Sequence, residues 1–185
     1  INKFTIKKNA ILDIGSSNGQ LLSKVEKLFK IKSALDVYID KRCKKFVNGE
    51  YINGFIEDED FYSRHKPYDV ITAFDIFEHF YNPYNALKNI SSSLAIDGAL
   101  IGETGVVDEI KDLSNWWYCK LFEHHIFWSF KTLDYLEKQF NFKVIYKVTN
   151  PHKGKRYMVW YKKIILIILK LLSYVPFMKD IILNL

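Results

Sequence analysis

Short apolar segments alternate with amphipathic segments along residues 10–104, and this alternation restricts the fold more than any other feature of the sequence. The apolar segments have the length of strands and cover residues 10–14, 34–39, 51–56, 68–74 and 99–104. Between them, residues 20–30 carry apolar side chains at helical spacing. Helices are also predicted over residues 41–48, which Asp40 can cap, and 84–94, which the Asn82-Pro83 pair begins. Strands that alternate with helices in this way predict parallel βαβ units, with helices on both faces of the sheet.

The second half of the chain has a different character. Residues 105–130 show no clear period and are rich in aromatic and histidine side chains, which is typical of a long functional loop. A helix is predicted over residues 132–140, and two strands follow over residues 142–149 and 156–160, joined by an N-P-H-K-G-K turn. This hairpin adds an antiparallel edge and brings the predicted sheet to seven strands.

Residues 162–185 are predicted as a separate basic and apolar tail, so that the main domain covers residues 1–161. The helix predicted over residues 164–175 is apolar on nearly all sides and is flanked by lysines. Its twelve residues are fewer than the roughly 20 that span a bilayer. Two interpretations stay open: the helix packs on its own domain or on a second copy of the chain, or it lies on a membrane surface where its lysines meet anionic lipid.

Charge and cysteine content exclude other classes of protein. The net charge of +6 comes from residues 143–185, which carry nine basic residues against one acid, whereas residues 1–142 carry eighteen against twenty. A nucleic-acid-binding domain more often spreads its basic surface over the whole domain, so no nucleic-acid partner is predicted. Two cysteines and no secretory leader predict a reducing, cytoplasmic location, and the tail leaves membrane association open.

The strongest local signal follows the first predicted strand, where the sequence reads I-L-D-I-G-S-S-N-G and a helix begins at once. Gly15 and Gly19 permit backbone angles that other residues avoid, and a helix N-terminus offers free N–H groups to an anion. Asp13 at the strand end can accept hydrogen bonds from a ligand ammonium group. The turn is a poor dinucleotide fingerprint, because Ser17 and Gln20 stand where G-x-G-x-x-G requires glycine.

Further motifs follow the later strands in order: V-Y-I-D after the second, F-I-E-D after the third and F-D-I-F-E-H-F-Y-N-P at the end of the fourth. With the Gly-rich turn and the later E-H-H-I-F-W-S-F run, they resemble class I S-adenosylmethionine-dependent methyltransferases of the small-molecule branch, whose fourth strand is followed by E-H-x-x-(D/N)-P. The resemblance covers about residues 9–150. It implies a Rossmann-like, doubly wound α/β fold, with a mostly parallel sheet and an antiparallel C-terminal hairpin, and S-adenosylmethionine as the cofactor.

The resemblance also implies which residues hold the cofactor. The methionine part would lie against the Gly-rich turn, lined by Asp13, Gly15, Ser16, Ser17 and Gly19. The ribose-binding acid of the family is ambiguous here, and it falls on one of three residues that would share one side of an extended strand: Asp36, Tyr38 and Asp40. The adenine edge would meet the backbone of Ile56 and the next two residues, Glu57 and Asp58. The end of the fourth strand would lie beneath the sulfonium, at Phe74 and Asp75.

A hydroxyl or amine acceptor loses a proton during methylation, and a base near neutrality is predicted for this step. The candidates are three histidines: His124, His125 and His79. Three tryptophans are predicted to wall an apolar or aromatic acceptor: Trp116, Trp117 and Trp128. Glu78 and His79 could reach a divalent ion, but two ligands do not make a metal site, and no metal is predicted.

The predicted function is methyl transfer from S-adenosylmethionine to a small-molecule or glycolipid-type acceptor by in-line displacement. A non-catalytic binding or scaffold module of the same fold is the alternative, and formation of S-adenosylhomocysteine separates the two. Ser17 and Gln20 disfavour an NAD-dependent oxidoreductase, and the acidic balance of residues 1–142 disfavours an RNA methyltransferase. The predicted partners are the acceptor and, through the tail, a membrane surface or a second copy of the chain.

Overall fold

The computed structural model describes residues 8–38, 40–59, 61, 67–120, 122–150 and 155–162. The strands of its sheet are β1 Ala10–Ile14, β2 Ile31–Asp36, β3 Tyr51–Asn53, β4 Tyr68–Phe74, β5 Leu94–Gly105, β6 Phe142–Asn150 and β7 Lys155–Lys162. Side by side they follow the order β3-β2-β1-β4-β5-β7-β6. The α-helices of the described residues are α1 Gln20–Lys24, α2 Pro83–Ser93 and α3 Phe130–Phe140, and the 3₁₀ helices are Lys41–Phe46, Phe77–His79 and Val107–Glu109.

Strands β1 to β5 are parallel, with β1 in the middle between β2 and β4. After β3 the chain crosses back and enters β4 on the far side of β1. The strand order therefore reverses between β1 and β4. The predicted Rossmann-like α/β fold is thereby confirmed. Beyond β5 the sheet continues with the antiparallel strands β7 and β6. Sheets of this kind bind ligands at the carboxyl ends of the strands, where the order reverses.

Two apolar clusters cover the two faces of the sheet. Leu12 and Ile14 face a cluster that includes the buried sides of α2 and α3. Ile11 faces the second cluster, to which α1 contributes Leu22. Because alternate residues of a strand point to the same side, Asp13 lies on the face of Ile11. A carboxylate therefore enters a mostly apolar layer at the end of β1.

The structure corrects the predicted end of the second strand. β2 begins at Ile31 and ends at Asp36, where the sequence predicted residues 34–39. The physical reason is the side chain of Asp36, which accepts the N–H groups of Ser17 (2.8 Å) and Tyr38 (2.9 Å) and so turns the chain out of the sheet. The prediction that Asp36, Tyr38 and Asp40 share one side of an extended strand is wrong.

Other elements differ in length. β1 and β4 have their predicted bounds, while β3 ends at Asn53 and β5 begins earlier, at Leu94. The helix predicted over residues 20–30 is regular only in α1, because beyond Lys24 the backbone forms turns in which Leu28 donates to the carbonyl of Val25 (2.9 Å). Residues 41–48 form the 3₁₀ helix Lys41–Phe46 instead of an α-helix.

We call residues 105–130 the aromatic segment. Its described residues fold back onto the carboxyl ends of β4 and β5. Val107 donates its N–H to the carbonyl of Trp128 (2.9 Å), which closes the segment at its base. His125 and Ile126 donate theirs to the carbonyl of Glu78, at 2.8 and 3.2 Å. Since Glu78 belongs to the 3₁₀ helix that follows β4, these bonds fasten the segment beside the ligand-binding edge of the sheet.

No helix within the described residues is long and apolar enough to cross a bilayer. The tail predicted over residues 162–185 lies outside the described residues, apart from Lys162 at the end of β7. Its two interpretations, and the boundary between residues 161 and 162, stay predictions.

Candidate functional site

The turn after β1 has the left-handed backbone that its glycines permit, with φ of +74° at Gly15 and +77° at Gly19. A Cβ atom at Gly15 would collide with the end of the Ile76 side chain, and together with the positive φ this contact favours glycine between the turn and the chain that leaves β4. Ser17 also has a positive φ, of +44°, which is uncommon for serine. Its N–H donates to Asp36, and this bond ties the turn to the end of β2.

Asp13 lies beneath this turn and is almost completely buried. Its register partner on β4, Thr72, donates a hydroxyl to Asp13 Oδ1 at 2.7 Å. Burial raises the pKa of Asp13 from 3.8 to about 7, the Thr72 hydrogen bond lowers it, and the charge of Asp36 adds to the rise. Asp13 Oδ2 has no hydrogen bond to a described residue, which leaves one carboxylate oxygen for a ligand cation.

This pKa predicts how stability depends on pH. Between about pH 4 and pH 7 the folded chain keeps a proton on Asp13 that the unfolded chain has released. The free energy of unfolding therefore falls as the pH rises through this range, by up to about 4 kcal/mol from this group. Asp13→Asn is expected to remove this slope, and urea denaturation of both proteins at pH 5 and pH 8 measures it. Equal slopes for the two proteins would contradict the prediction.

The three candidates for the ribose-binding acid occupy different places. Asp36 ends β2 directly beside the turn, whereas Tyr38 lies beyond the strand with 79% of its surface exposed. Asp40 caps the next helix and forms an ion pair with Arg42 (2.8 Å), which lowers the pKa of Asp40 to about 2. Of the three, Asp36 lies where a ligand on the turn would meet it.

The segment after β3 is held in place by α2 and its cap. The side-chain amide of Asn89 donates to the carbonyls of Ile56 (2.8 Å) and Asp58 (2.7 Å), and the Glu57 carboxylate accepts the N–H of Asn82. The Ile56 side chain is buried in the core, so this residue offers a ligand only its backbone. Sequence reasoning missed Asn89, although a polar residue on the apolar face of a helix is a usable signal.

At the end of β4, Phe74 packs against the cluster on the Asp13 face of the sheet. Asp75 has φ of +53° and is exposed, and its N–H donates to the carbonyl of Glu103 on β5 (3.3 Å). This left-handed residue turns the chain sharply towards the helix Phe77–His79. Both predicted residues therefore lie at the same edge of the sheet as the Gly-rich turn.

Beside this edge, Glu78, His79 and His124 form what we call the His–Glu cluster, in which one potential ligand atom from each residue lies within 4.8 Å of the others. The two imidazole rings meet edge to face at 4.9 Å. Gly102 on β5 packs closely against Phe77, the first residue of the helix Phe77–His79, because a Cβ there would collide with the Phe77 ring. The sequence showed two possible metal ligands, and the fold of the aromatic segment brings the third.

Two residues that sequence reasoning missed support the buried carboxylate of Glu78. Thr104 at the end of β5 donates its hydroxyl to Glu78 Oε2 (3.1 Å) and lies 3.0 Å from the hydroxyl of Tyr118. Burial and the charge of Glu78 raise the pKa of Tyr118 well above its usual range. No sequence spacing relates these three residues, since they come from three separate segments of the chain.

His125 lies apart from the cluster. Its ring lies 4.5 Å from the ring of the exposed Tyr81, and its backbone N–H donates to the carbonyl of Glu78. The structure therefore brings two of the three predicted histidines together and leaves His125 outside.

The three predicted tryptophans also separate. Trp117 is half exposed, and Trp116 is buried with its ring stacked on Tyr118 at 4.9 Å. Trp128 belongs to the core, where its ring packs edge-on against Phe77 at 6.1 Å. The prediction that Trp128 walls the acceptor is wrong, because its side chain is 1% exposed.

Residues 2–147 match the family model of the methyltransferase domain. The chain belongs to this family. The predicted class I fold is confirmed with it, together with S-adenosylmethionine, the cofactor on which that class depends. A comparison with curated protein sequences found no match.

Solved structures share the fold of this methyltransferase domain. An O-methyltransferase family protein from Burkholderia thailandensis has a TM-score of 0.67 at 9% identity, over 83% of this chain and 51% of that chain. A SAM-dependent methyltransferase from Archaeoglobus fulgidus has 0.64 at 13%, over 85% and 87%. The N-methyltransferase NodS from Bradyrhizobium japonicum WM9, in complex with S-adenosylhomocysteine, has 0.61 at 14%, over 83% and 77%. At these identities the likeness concerns the fold alone.

Proposed function

We propose that this methyltransferase domain transfers a methyl group from S-adenosylmethionine to a small-molecule or glycolipid-type acceptor. The observation that carries the proposal is the buried carboxylate of Asp13 beneath a left-handed turn, at the point where the strand order reverses. Together they provide an acceptor for an ammonium group beside a backbone with no side chain at residues 15 and 19. The free amino-acid end of a ligand has this chemistry, because its ammonium and carboxylate groups are attached to the same carbon.

The residues at this edge fit the cofactor part by part. Asp13 Oδ2 would accept the ammonium group, and Ser16, whose buried hydroxyl has no partner other than the weakly bonding Cys43 thiol, would lie against the methionine part. Asp36 would accept the ribose hydroxyls, because each of its carboxylate oxygens holds a single backbone N–H and can accept further bonds. Glu57 and Asp58 would border the adenine base of the cofactor.

When bound, S-adenosylmethionine supplies a methyl group on a sulfonium centre, so the chain itself needs no nucleophile. The turn and Asp36 would hold the donor, and the aromatic segment after β5 would exclude water from this edge of the sheet. The His–Glu cluster would activate an acceptor that carries a proton. His79 and His124 are the proposed histidines for this role, and the cluster favours turnover over the alternative of a non-catalytic binding module.

An apolar acceptor, or the apolar part of a glycolipid, is the finer part of the proposal. Its support is the aromatic segment, where large apolar side chains are exposed at Leu113, Trp117 and Phe122. The basic and apolar tail of residues 162–185 agrees with a cytoplasmic chain that works at a membrane surface. The same tail could instead form a dimer by packing on a second copy of the chain.

A matched pair of variants tests the proposed donor site. Asp36→Asn is expected to weaken binding of S-adenosylhomocysteine about tenfold or more in calorimetry, because the amide offers one acceptor oxygen where the carboxylate offers two. Asp40→Asn is the control and is expected to bind like the wild type, since its carboxylate is occupied by Arg42. Incubation with the cofactor and either water-soluble metabolites or lipid vesicles then tests turnover. No binding by the wild-type chain would overturn the proposal.

A further inference from the structure

We propose that the His–Glu cluster binds one divalent transition-metal ion through Glu78, His79 and His124. The ligand atoms of the three side chains already lie within 4.8 Å of one another. A metal at about 2.0–2.2 Å from each nitrogen and oxygen brings such atoms to roughly 3–3.5 Å, so small side-chain movements complete the site. Binding itself does not depend on the proposed function, and only the use of the metal at the acceptor rests on it.

The hydrogen bonds of the two rings leave one nitrogen of each ring free. His79 Nδ1 lies 2.7 Å from the carbonyl oxygen of Glu123, and His124 Nδ1 lies 2.6 Å from that of Tyr118. A carbonyl oxygen only accepts, so both Nδ1 atoms carry the proton, and in the neutral rings both Nε2 atoms keep their lone pairs. Metal-binding histidines are held in this way, by donating the other ring N–H to a carbonyl or carboxylate.

The third ligand, Glu78, is a buried carboxylate that a cation would stabilise. Glu78 is 1% exposed, and its carboxylate accepts hydrogen bonds from the hydroxyls of Thr104 and Tyr118. A carboxylate has about four lone-pair sites, so it can also ligate a metal. Within the described residues, the ion pairs involve other acids, Asp40 and Glu123, and Glu78 has none. A buried carboxylate without a cation is costly, and a divalent ion between Glu78 and two neutral imidazoles would compensate its charge.

The donor set selects the kind of metal. Two imidazoles and one carboxylate suit zinc, iron and related transition ions, whereas calcium and magnesium prefer oxygen ligands throughout. Three protein ligands leave a coordination position open, as in catalytic sites. His79 is only half buried, so this position is reachable from the edge of the sheet where the acceptor is proposed to bind.

Zinc titration of the chelator-treated full chain tests the site. We expect one Zn²⁺ per chain in calorimetry, with binding weakened more than about tenfold in His79→Ala and in Glu78→Gln, since even the loss of a supporting partner costs roughly 10–100-fold. His125→Ala is the matched control, because it removes a histidine next in sequence to the cluster but outside it. It is expected to bind zinc like the wild type. Equal binding by His79→Ala and His125→Ala would overturn the proposal, as would the absence of stoichiometric zinc in the wild type.

A second measurement keeps the test valid where a variant unfolds. Cobalt bound to the wild-type chain should show visible d–d bands without a thiolate charge-transfer band, because Cys43 and Cys119 are not ligands. A thiolate band would place the metal elsewhere and contradict the assignment. Binding of S-adenosylhomocysteine is measured on the same samples: its loss with zinc binding intact refutes the proposed function alone, and the reverse result refutes the metal site alone.

Discussion

Gly15→Arg is expected to weaken binding of S-adenosylhomocysteine more than about 100-fold. The backbone at Gly15 has φ of +74°, where an L-residue is strained by about 1–2 kcal/mol, and any side chain would collide with Ile76. Relief of that collision moves either the turn or Ile76, and both border the proposed place of the methionine part. Calorimetric titration with S-adenosylhomocysteine measures the loss.

Gly15→Ala separates strain from bulk. It shares the backbone strain and the first collision with Ile76, but it adds no long or charged side chain. We expect binding between that of the wild type and that of Gly15→Arg, with both variants retaining their circular-dichroism spectra. A folded Gly15→Arg that binds within threefold of the wild type would rule out the turn as the donor site.

His79→Ala is expected to lower methyl transfer by about 10²–10⁴-fold, the range that acid–base activation of an acceptor supplies. Its affinity for S-adenosylhomocysteine should change less than about threefold, because the donor site lies on β1 and β2 and the side chain of His79 lies on the helix after β4. The measurement is the rate of S-adenosylhomocysteine formation at saturating cofactor, with the acceptor pool that the wild type methylates.

The control for this variant is His125→Ala, which removes the ring that faces Tyr81. It is expected to retain the wild-type rate within about threefold. If both variants lose activity equally, the effect belongs to the aromatic segment as a whole, and the His–Glu cluster has no special part in the reaction. Rescue of His79→Ala by added imidazole would further support a role for the ring itself.

The sequence by itself determined the parallel core of the fold. The apolar runs of β1 and β4 are long enough to be buried on both faces, and their predicted bounds are those of the structure. The backbone conformation at residues 15 and 19 was also predictable from the sequence, because a left-handed turn strongly favours glycine, which has no Cβ atom. Local chemistry was sufficient wherever a residue type allows few alternatives.

Tertiary structure decided the contacts between segments. Asp36, Tyr38 and Asp40 were indistinguishable in sequence, and the bond from the Ser17 N–H to Asp36 determined which of them ends the strand beside the turn. Likewise Thr72 became the partner of Asp13 only through the register of β4 against β1.

The same holds for the His–Glu cluster, where His124 stands 45 residues beyond His79 in the sequence. The backbone bonds from the aromatic segment to Glu78 bring the two rings together, and no periodicity of either segment encodes that contact. Sequence thus set β1, β4 and the turn through local sterics and burial. Side chains that are distant in sequence came together only because their segments pack against the same edge of the sheet.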